Sequence, residues 1–435
     1  MRMILLRCYS QLNGVCLDKL IVDSKIYSNV CLSFSNERIS GFNNGLKYLD
    51  LRGLNSLGLP GIIDIHVHLR GLEYSYKEDE YSGSLAAISG CITSVIDMPN
   101  TKPQVRNVKV LDYKLRALKE YTTIDYGLYA GIPENPGEAF KLADKPIAGF
   151  KIYPEDLRAP RRILCEVLRA AESRGLLVII HPEHPDIIDF VDFGYYRGFY
   201  RSCIAETLAI DEVKNLVLEC SSKPRIHITH ISCPQSIIKA KSFRFTVDVT
   251  PHHLLWDQDS YKPLFNLWCE SKVNPPLRGI IEKSILWNLL LEGYIDAIAS
   301  DHAPHSNSEK LWLTPSQCLP GFSSLENWPG ALVLVFYRLG LLDLFSKLTS
   351  INPAKILGVK GYGCIDVGCY ANLSIFTLDT IDSPGNIYSK SKITPYINTK
   401  RLKCLANIIR GRLVYYDSEP KVGRGFGVNI FEYRG

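Results

Sequence analysis

The chain has 435 residues, which allows two or three domains, or one large barrel with a smaller module. Hydrophobic residues make up 46% and charged residues 22%, as in an ordinary globular protein, and the formal net charge is +5. A charge this small and dispersed argues against a protein that binds nucleic acid or a membrane surface. The apolar runs are too short to span a bilayer, and the first ten residues lack the apolar core of a secretory signal, so a cytoplasmic protein is expected.

In chain order, residues 1–58 come first and contain short β-like runs without helical periodicity. The middle of the chain alternates short apolar runs with amphipathic ones, which is typical of βα units and a parallel sheet. The strands predicted there are Gly61–Val67, Ile92–Met98, Ile124–Ala130, Ile147–Ile152, Leu176–Ile180, Arg225–Thr229, Phe245–Val249 and Ile295–Ser300. The predicted helices are Ser82–Ser89, Asn107–Tyr121, Pro160–Arg174, Cys203–Cys220, Ile280–Glu292 and Leu325–Phe345. Residues 360–435 return to short β-like runs.

This pattern predicts an α/β protein whose central part, residues 59–359, is a (β/α)8 TIM barrel. Two β-rich ends that flank a barrel predict one small β-sandwich domain built from both termini, residues 1–58 and 360–435. The alternative is a pair of disordered tails, which the alternating Val, Ile and Tyr residues of these segments disfavour.

The cysteines are thirteen in number, and no Cys-x-x-Cys pair occurs. An odd count without a secretory signal predicts a reducing compartment and mostly buried free thiols. The alternative is the intracellular disulfides of hyperthermophiles, which the low glutamine content of the chain favours.

Nearly all the histidines lie at or just beyond the C-terminal ends of predicted strands, on the face of a TIM barrel that carries the active site. His66 and His68 are two residues apart on one strand, so both side chains can point into the barrel mouth and bind one metal ion. A lone His-x-His pair would be equally compatible with a polar strand end. His181, His230 and Asp301 end or follow other strands. Together these imidazoles and the carboxylate predict a site for two transition-metal ions, with zinc the best match.

Lys151 ends the fourth predicted strand, among the proposed metal ligands. An ammonium group beside metal ions is electrostatically costly. A neutral amine that has reacted with carbon dioxide would be a carbamate, whose two oxygens can bridge two metals. The alternative is a lysine that extends its ammonium group to solvent. With a carbamate, Asp301 and a bridging hydroxide, two divalent ions would leave a small positive charge that attracts an anionic substrate.

Nine motifs extend this site along the chain. They are Asp64-Ile-His-Val-His-Leu-Arg70, Met98-Pro-Asn100-Thr, Gly149-Phe-Lys151, Thr229-His230-Ile-Ser, Thr250-Pro-His-His253, Asn274-Pro-Pro-Leu-Arg278, Ala299-Ser-Asp-His-Ala-Pro-His305, Gly321-Phe-Ser-Ser-Leu-Glu326 and Asn352-Pro-Ala-Lys. In combination they are highly specific, and they resemble the amidohydrolase superfamily and, within it, the dihydroorotase family. The resemblance covers nearly the whole barrel and both flanking segments.

The resemblance implies reversible, zinc-dependent cyclisation of N-carbamoyl-L-aspartate to L-dihydroorotate and water in pyrimidine biosynthesis. It implies two Zn2+ ions per subunit, bridged by N6-carboxylated Lys151. His66, His68 and Asp301 would bind the buried metal, and His181 and His230 would bind the second one. A metal-bridging hydroxide would be the nucleophile, and Asp301 the general base and acid.

The resemblance also implies contacts to the small-molecule substrate. Arg70, Asn100 and His305 would hold its carboxylate, for which a guanidinium offers two parallel N–H donors. Asn274 would touch the ring edge, together with backbone near Gly321 and Phe322. A homodimer is expected from the family alone, and no nucleic-acid or membrane partner is expected.

The chain departs from the family at three positions. Arg70 is followed by Gly71-Leu-Glu73 where the family has Glu-Pro-Gly, as though two residues were missing, so the shape of the loop over the substrate is open. Lys151 marks a subgroup, because some bacterial members have Asp there. Asn372 stands where relatives commonly have Asp, with no catalytic effect expected.

Two other functions are compatible with part of this pattern. An allantoinase or a hydantoinase-type cyclic amidohydrolase would share the metal ligands, and only Arg70 and His305, which suit a substrate carboxylate, disfavour it. A non-catalytic scaffold is disfavoured because the full ligand set is present. Four of the five histidines left over are expected to hydrogen-bond to other site residues rather than bind metal: His227, His252, His253 and His302. His184 is expected to be a loop residue.

Overall fold

The computed structural model describes residues 11–43, 48–188, 197–259, 269–311 and 317–432. Within these residues, no helix is both long and apolar enough to cross a membrane. The same residues build two sheets, one a parallel barrel and the other formed by both ends of the chain.

Three groups of strands follow one another along the chain. The N-terminal strands are β1 (Gly14–Val22), β2 (Lys25–Ser35), β3 (Arg38–Gly41), β4 (Leu49–Asp50) and β5 (Ser56–Pro60). The barrel strands are β6 (Ile62–Val67), β7 (Ile92–Asp97), β8 (Asp125–Ala130), β9 (Gly149–Ile152), β10 (Leu177–Ile180), β11 (Arg225–Ile228), β12 (Thr246–Val249) and β13 (Ala297–Ile298). The C-terminal strands are β14 (Leu373–Asp382), β15 (Lys400–Ile409), β16 (Arg412–Tyr416) and β17 (Glu419–Pro420).

The predicted barrel is confirmed, with all eight strands parallel and in the order of the sequence. A parallel bridge between Val67 and His302 connects the last strand region to the first, and His68 N donates to His302 O at 2.8 Å. Strands β6, β7 and β8 are buried along their whole length, as expected when helices cover a parallel sheet.

The two ends of the chain also meet as predicted. Strand β5 joins them, because it pairs in parallel with β1 and antiparallel with β14, where Pro60 faces Leu373. The β domain built from both termini consists of one continuous sheet in the order β17-β16-β15-β14-β5-β1-β2-β3, with β4 beside β1. Its own apolar core includes Leu17, Leu32 and Ile408.

The helices lie between and after the barrel strands. They are α1 (Glu80–Ser89), α2 (Val108–Tyr121), α3 (Glu138–Ala143), α4 (Arg161–Ser173), α5 (Pro185–Ile188), α6 (Arg197–Tyr200), α7 (Cys203–Glu219), α8 (Pro234–Ser242), α9 (Pro251–Leu255), α10 (Ile280–Leu291), α11 (Asn307–Leu311), α12 (Trp328–Arg338), α13 (Leu342–Ser346) and α14 (Asn352–Leu357). Short 3-10 helices cover Leu72–Tyr74 and Pro154–Arg158, and a π-helical turn covers Lys347–Ile351. The predicted helix Leu325–Phe345 is broken, because Gly340 adopts a left-handed φ of 71° between α12 and α13.

The last described segment returns from the terminal sheet to the barrel. Phe431 packs into the barrel interior beside Ile63 and Leu177. A Cβ atom at Gly127 would lie 2.3 Å from the Phe431 ring, so only glycine leaves room for this side chain. Phe431 therefore fills the interior below the face that carries the site.

The prediction of mostly free thiols is wrong. The described cysteines form six disulfides: Cys16–Cys31, Cys91–Cys404, Cys165–Cys220, Cys203–Cys233, Cys269–Cys318 and Cys364–Cys369. The remaining cysteine, Cys8, lies outside the described residues. The chain thus follows the alternative of a disulfide-rich protein, since pairing depends on proximity in the fold and not on spacing in the sequence.

Candidate metal centre and substrate cavity

A cavity of about 370 Å³ opens at the carboxyl ends of the barrel strands. Its lining includes ten of the eleven residues predicted from the sequence: His66, His68, Arg70, Asn100, Lys151, His181, His230, Asn274, Asp301 and His305. These residues come from positions as far apart as 66 and 305, and the barrel topology brings them together because parallel strands end at one face.

Three of these side chains converge on one point. The ligand atoms of His66, His68 and Asp301 all lie within 4.8 Å of one another. Asp301 Oδ1 is 3.3 Å from His66 Nε2 and 3.1 Å from His68 Nε2. Two imidazole nitrogens and a carboxylate oxygen at this separation match the donor set of a zinc site.

Hydrogen bonds at the far ring nitrogens orient both imidazoles. His66 Nδ1 lies 2.7 Å from Thr229 Oγ1, and His68 Nδ1 lies 2.6 Å from Asn100 Oδ1. When Nδ1–H donates to these oxygens, Nε2 keeps its lone pair for a metal. Burial lowers the pKa of His66 and His68 well below the usual value, with Lys151 and Arg70 respectively adding to the shift, so both rings are neutral.

A second group of donors lies beside the first. The ring of His230 is 5.2 Å from that of His66 and 4.3 Å from that of His181, centroid to centroid. Burial lowers the pKa of His230 well below its usual value, and its Nδ1 is buried with no hydrogen-bond partner among the described residues. The four histidines therefore form one cluster of imidazoles.

Lys151 completes this cluster from strand β9. Its side chain is fully buried, and no hydrogen-bond acceptor reaches Nζ within the described chain. Burial lowers the pKa of Lys151, although the Asp301 carboxylate acts in the opposite direction. A buried amine that loses its proton easily is suited to react with carbon dioxide.

Next to His181, Glu183 and Arg201 form an ion pair that the sequence analysis did not identify. His181 Nε2 is 2.6 Å from Glu183 Oε2, and Arg201 Nε donates to Glu183 Oε1 at 2.9 Å. Although burial opposes it, Arg201 and His181 hold the pKa of Glu183 well below its usual range. When Nε2–H donates to this carboxylate, Nδ1 of His181 keeps its lone pair for a metal. The signal in the sequence was a glutamate two residues after a proposed ligand.

The predicted carboxylate-binding residues meet at the other side of the cavity. Arg70 Nη2 lies 3.4 Å from His305 Nε2, and Arg70 Nε donates to Pro304 O at 3.3 Å. Lys77 Nζ is 3.4 Å from His305 Nδ1 and 2.9 Å from Glu309 Oε1. This wall of the cavity is therefore positively charged.

The loop after Arg70 begins with an unusual backbone conformation. Arg70, Gly71 and Leu72 have φ values of 57°, 67° and 50°, three successive residues in the left-handed region. Lys114 Nζ donates to Arg70 O at 2.9 Å from inside the protein and holds this turn. A Cβ atom on Gly71 would lie 2.1 Å from Glu80 Oε1, so a larger residue there would displace the Glu80 carboxylate.

The other predicted substrate contacts lie in different surroundings. Asn100 lines the cavity while its Oδ1 faces His68, and Asn274 lines it while its Oδ1 accepts from Arg197. The Phe322 side chain packs with Val273 and Leu277 outside the cavity lining, to which the preceding residue, Gly321, contributes instead.

Tyr153 is a cavity-lining residue that the sequence analysis missed. It lies two residues after Lys151, just beyond the end of β9, where its backbone is still extended, so the two side chains can share one face. Burial raises the pKa of Tyr153 well above its usual value, so the phenol keeps its proton.

Three of the remaining histidines support the site from outside it. His227 Nε2 lies 2.7 Å from Asp248 Oδ2, and Asp248 Oδ1 accepts from His230 N at 2.6 Å. His253 Nε2 donates to Pro275 O at 3.2 Å, next to Asn274. His302 Nδ1 accepts from the backbone N–H of Ser324 at 3.0 Å.

Comparison with known proteins gives one family. Residues 56–150 match the family model described as dihydro-orotase-like. A dihydroorotase of Aeropyrum pernix is 45% identical over 418 residues, 95% of this chain and 97% of that protein. A dihydroorotase of Saccharolobus solfataricus is 37% identical over 355 residues, 81% of this chain and 82% of that protein.

Solved structures show the same fold at lower identity. An L-hydantoinase (dihydropyrimidinase) from Arthrobacter aurescens has a TM-score of 0.84 at 23% identity, covering 96% of this chain and 99% of that one. A D-hydantoinase (dihydropyrimidinase) from a Thermus species has a TM-score of 0.83 at 19% identity, covering 96% and 98%.

Proposed function

The chain belongs to the dihydroorotase family, and we propose that its barrel cavity interconverts L-dihydroorotate and water with N-carbamoyl-L-aspartate. The observation that carries this proposal is one cavity that has imidazoles and a carboxylate at one side and Arg70 with His305 at the other. The first side suits amide hydrolysis, and the second suits the carboxylate that both reactants carry.

The donor set fits two zinc ions per subunit. His66, His68 and Asp301 would hold one ion, His181 and His230 the other, and N6-carboxylated Lys151 would bridge them. The fit rests on the convergence of His66, His68 and Asp301, and on the buried His230 Nδ1 and Lys151 Nζ, which have no hydrogen-bond partner among the described residues. When bound, the ions would polarise the scissile carbonyl and lower the pKa of water.

The chain's own residues orient the reactants and move the proton. We propose that Asp301 accepts the proton that the attacking water loses. It then donates this proton to the ring nitrogen when the C–N bond breaks. Its carboxylate lies within 3.3 Å of both His66 and His68, at the centre of the donor set. In the direction of ring closure, the same carboxylate would take the proton from the ureido nitrogen.

The substrate would lie with its carboxylate towards Arg70 and His305. Asn100 would approach it from the side of His68, and Asn274 and the backbone at Gly321 and Phe322 would contact the ring edge. An allantoinase or hydantoinase activity is the alternative that the metal ligands alone would allow. Allantoin and simple hydantoins lack this carboxylate, so they would leave the buried Arg70 guanidinium without an anionic partner.

Replacement of Arg70 tests the assignment. We expect Arg70→Ala to raise the KM for L-dihydroorotate on the order of a hundredfold, because a bidentate, charge-assisted pair is lost. Arg338→Ala, which removes an exposed arginine from the far helix α12, is the matched control. An unchanged KM and kcat in Arg70→Ala would contradict the substrate assignment.

The proposal also covers the compartment and the oligomeric state of the enzyme. We place it in the cytoplasm, because its reactants are small charged metabolites that do not cross membranes unaided. We also propose a homodimer, since outer helices expose large apolar side chains such as Ile204, Ile238 and Ile281, at 62%, 53% and 70%. Light scattering of the purified protein measures the oligomeric state directly.

A further inference from the structure

The hydroxyl group of Tyr153 is buried, and the proposed reaction assigns it no role. Tyr153 lines the cavity, and its Oη atom is buried with no hydrogen-bond partner among the described residues. A buried hydroxyl that leaves its hydrogen-bonding capacity unused is costly, and native proteins have few of them. A ligand that enters the cavity would remove this cost.

The backbone at Tyr153 is held by the turn that follows it. Asp156 Oδ2 accepts from Tyr153 N at 2.9 Å, and Arg106 Nη2 lies 2.9 Å from Asp156 Oδ1. Lys151 Nζ lies 5.3 Å from the centroid of the Tyr153 ring. The backbone that carries the phenol is therefore held at the end of β9, beside Lys151.

The position of the phenol relative to the charged groups indicates which part of the substrate it meets. Tyr153 and Arg70 line the same cavity. No hydrogen bond joins them in the described structure, so the Tyr153 hydroxyl keeps its hydrogen-bonding capacity for a ligand in the cavity. A carboxylate offers about four lone-pair sites, more than one guanidinium can satisfy.

We propose that Tyr153 is a specificity residue whose hydroxyl donates a hydrogen bond to the substrate carboxylate, beside Arg70 and His305. This inference rests on the proposed function, because it requires a substrate that carries a carboxylate. It assigns to Tyr153 a role in ground-state binding, whereas the metal-side residues act on the reacting carbonyl.

The test is the Tyr153→Phe variant of the zinc-loaded enzyme, which removes one oxygen and keeps the ring. The probes are orotate and its neutral amide, orotamide, as competitive inhibitors of dihydroorotate turnover. We expect the inhibition constant of orotate to rise on the order of tenfold to a hundredfold, the loss of one hydrogen bond to a charged group. The inhibition constant of orotamide, kcat and the zinc content should stay within about twofold of the wild type.

Tyr396→Phe is the matched control. Tyr396 is fully buried, and its Oη also lacks a hydrogen-bond partner among the described residues, but it packs on Trp256 outside the cavity lining. The control should change neither inhibition constant.

Three results would overturn the inference while leaving the proposed function intact. They are an unchanged orotate constant in Tyr153→Phe, an equal weakening of orotate and orotamide, and a loss confined to kcat, which would place the hydroxyl at the reacting carbonyl. Failure of the wild-type enzyme to turn over dihydroorotate in the same assay would instead overturn the proposed function, and the inference with it.

Discussion

Lys114 holds the loop that carries Arg70, and its replacement should affect both stability and substrate binding. Its side chain is fully buried in helix α2, where Nζ lies 2.7 Å from Glu80 Oε1 and 2.9 Å from Asp97 Oδ2. The same ammonium group donates to Arg70 O at 2.9 Å. Lys114→Met keeps the length of the side chain and removes the charge and all three contacts.

The expected cost follows from this burial. Without Lys114 the carboxylates of Asp97 and Glu80 stay buried without their cation, which costs about 3–5 kcal/mol when one partner of a buried pair is removed. This is a large part of a typical free energy of unfolding, about 5–15 kcal/mol. The left-handed turn that begins at Arg70 also loses the donor that holds its first carbonyl.

Two measurements check this prediction. Denaturant unfolding should show the free energy of unfolding of Lys114→Met reduced by about 3–5 kcal/mol. Steady-state kinetics below the unfolding transition should show a raised KM for dihydroorotate, because Arg70 loses its fixed position.

A triple variant provides the control. Lys114→Met combined with Asp97→Asn and Glu80→Gln removes both signs of charge, so most of the lost stability should return. The raised KM should persist, because the donor to Arg70 O is still absent. Unchanged stability and unchanged KM in Lys114→Met would refute the reasoning.

Two further predictions concern the metal bridge and the disulfides. Lys151→Ala should lose the second zinc ion and most activity, with partial rescue by short carboxylic acids that replace the carbamate; both metals and full rate in this variant would rule out the bridge. Thiol titration of the unfolded, unreduced protein should detect one thiol per chain, since twelve of the thirteen cysteines are paired, and reduction should lower the melting temperature. Detection of all thirteen thiols before reduction would show that the disulfides do not form in the purified protein.

The barrel could be predicted from the sequence because its strands are short, apolar and separated by helices with a clear period. Strands β6 and β8, for example, are buried throughout and begin within a residue of their predicted starts. The predicted site residues could be placed at one face because parallel strands end there, whatever their distance in the chain.

The disulfides could not be predicted in the same way. Cys91 and Cys404 are 313 residues apart and meet only because β15 of the terminal sheet packs near the start of β7. No local pattern encodes such a contact, and the odd cysteine count without a secretory signal suggested free thiols instead.

The sequence analysis also missed residues that support the site, because their partners come from distant parts of the chain. Two of them, Lys114 and Tyr153, stand at positions that could have drawn attention to them. Lys114 interrupts the buried stripe of helix α2 between Leu111 and Leu118, a position where lysine is rarely found without buried partners. Tyr153 stands two residues after Lys151, the spacing at which side chains of an extended segment share a face. Their partners, such as Glu80 and Asp97 for Lys114, come from other elements and are visible only in the fold.

The most direct test of the central claim is one spectrophotometric assay of the protein loaded with zinc in the presence of bicarbonate. L-Dihydroorotate, allantoin and a hydantoin are offered in parallel, and ring closure of N-carbamoyl-L-aspartate is followed at lower pH. We predict selective opening of dihydroorotate together with ring closure in the reverse direction. Turnover of allantoin or the hydantoin without turnover of dihydroorotate would contradict the assignment of Arg70 and His305 to a substrate carboxylate.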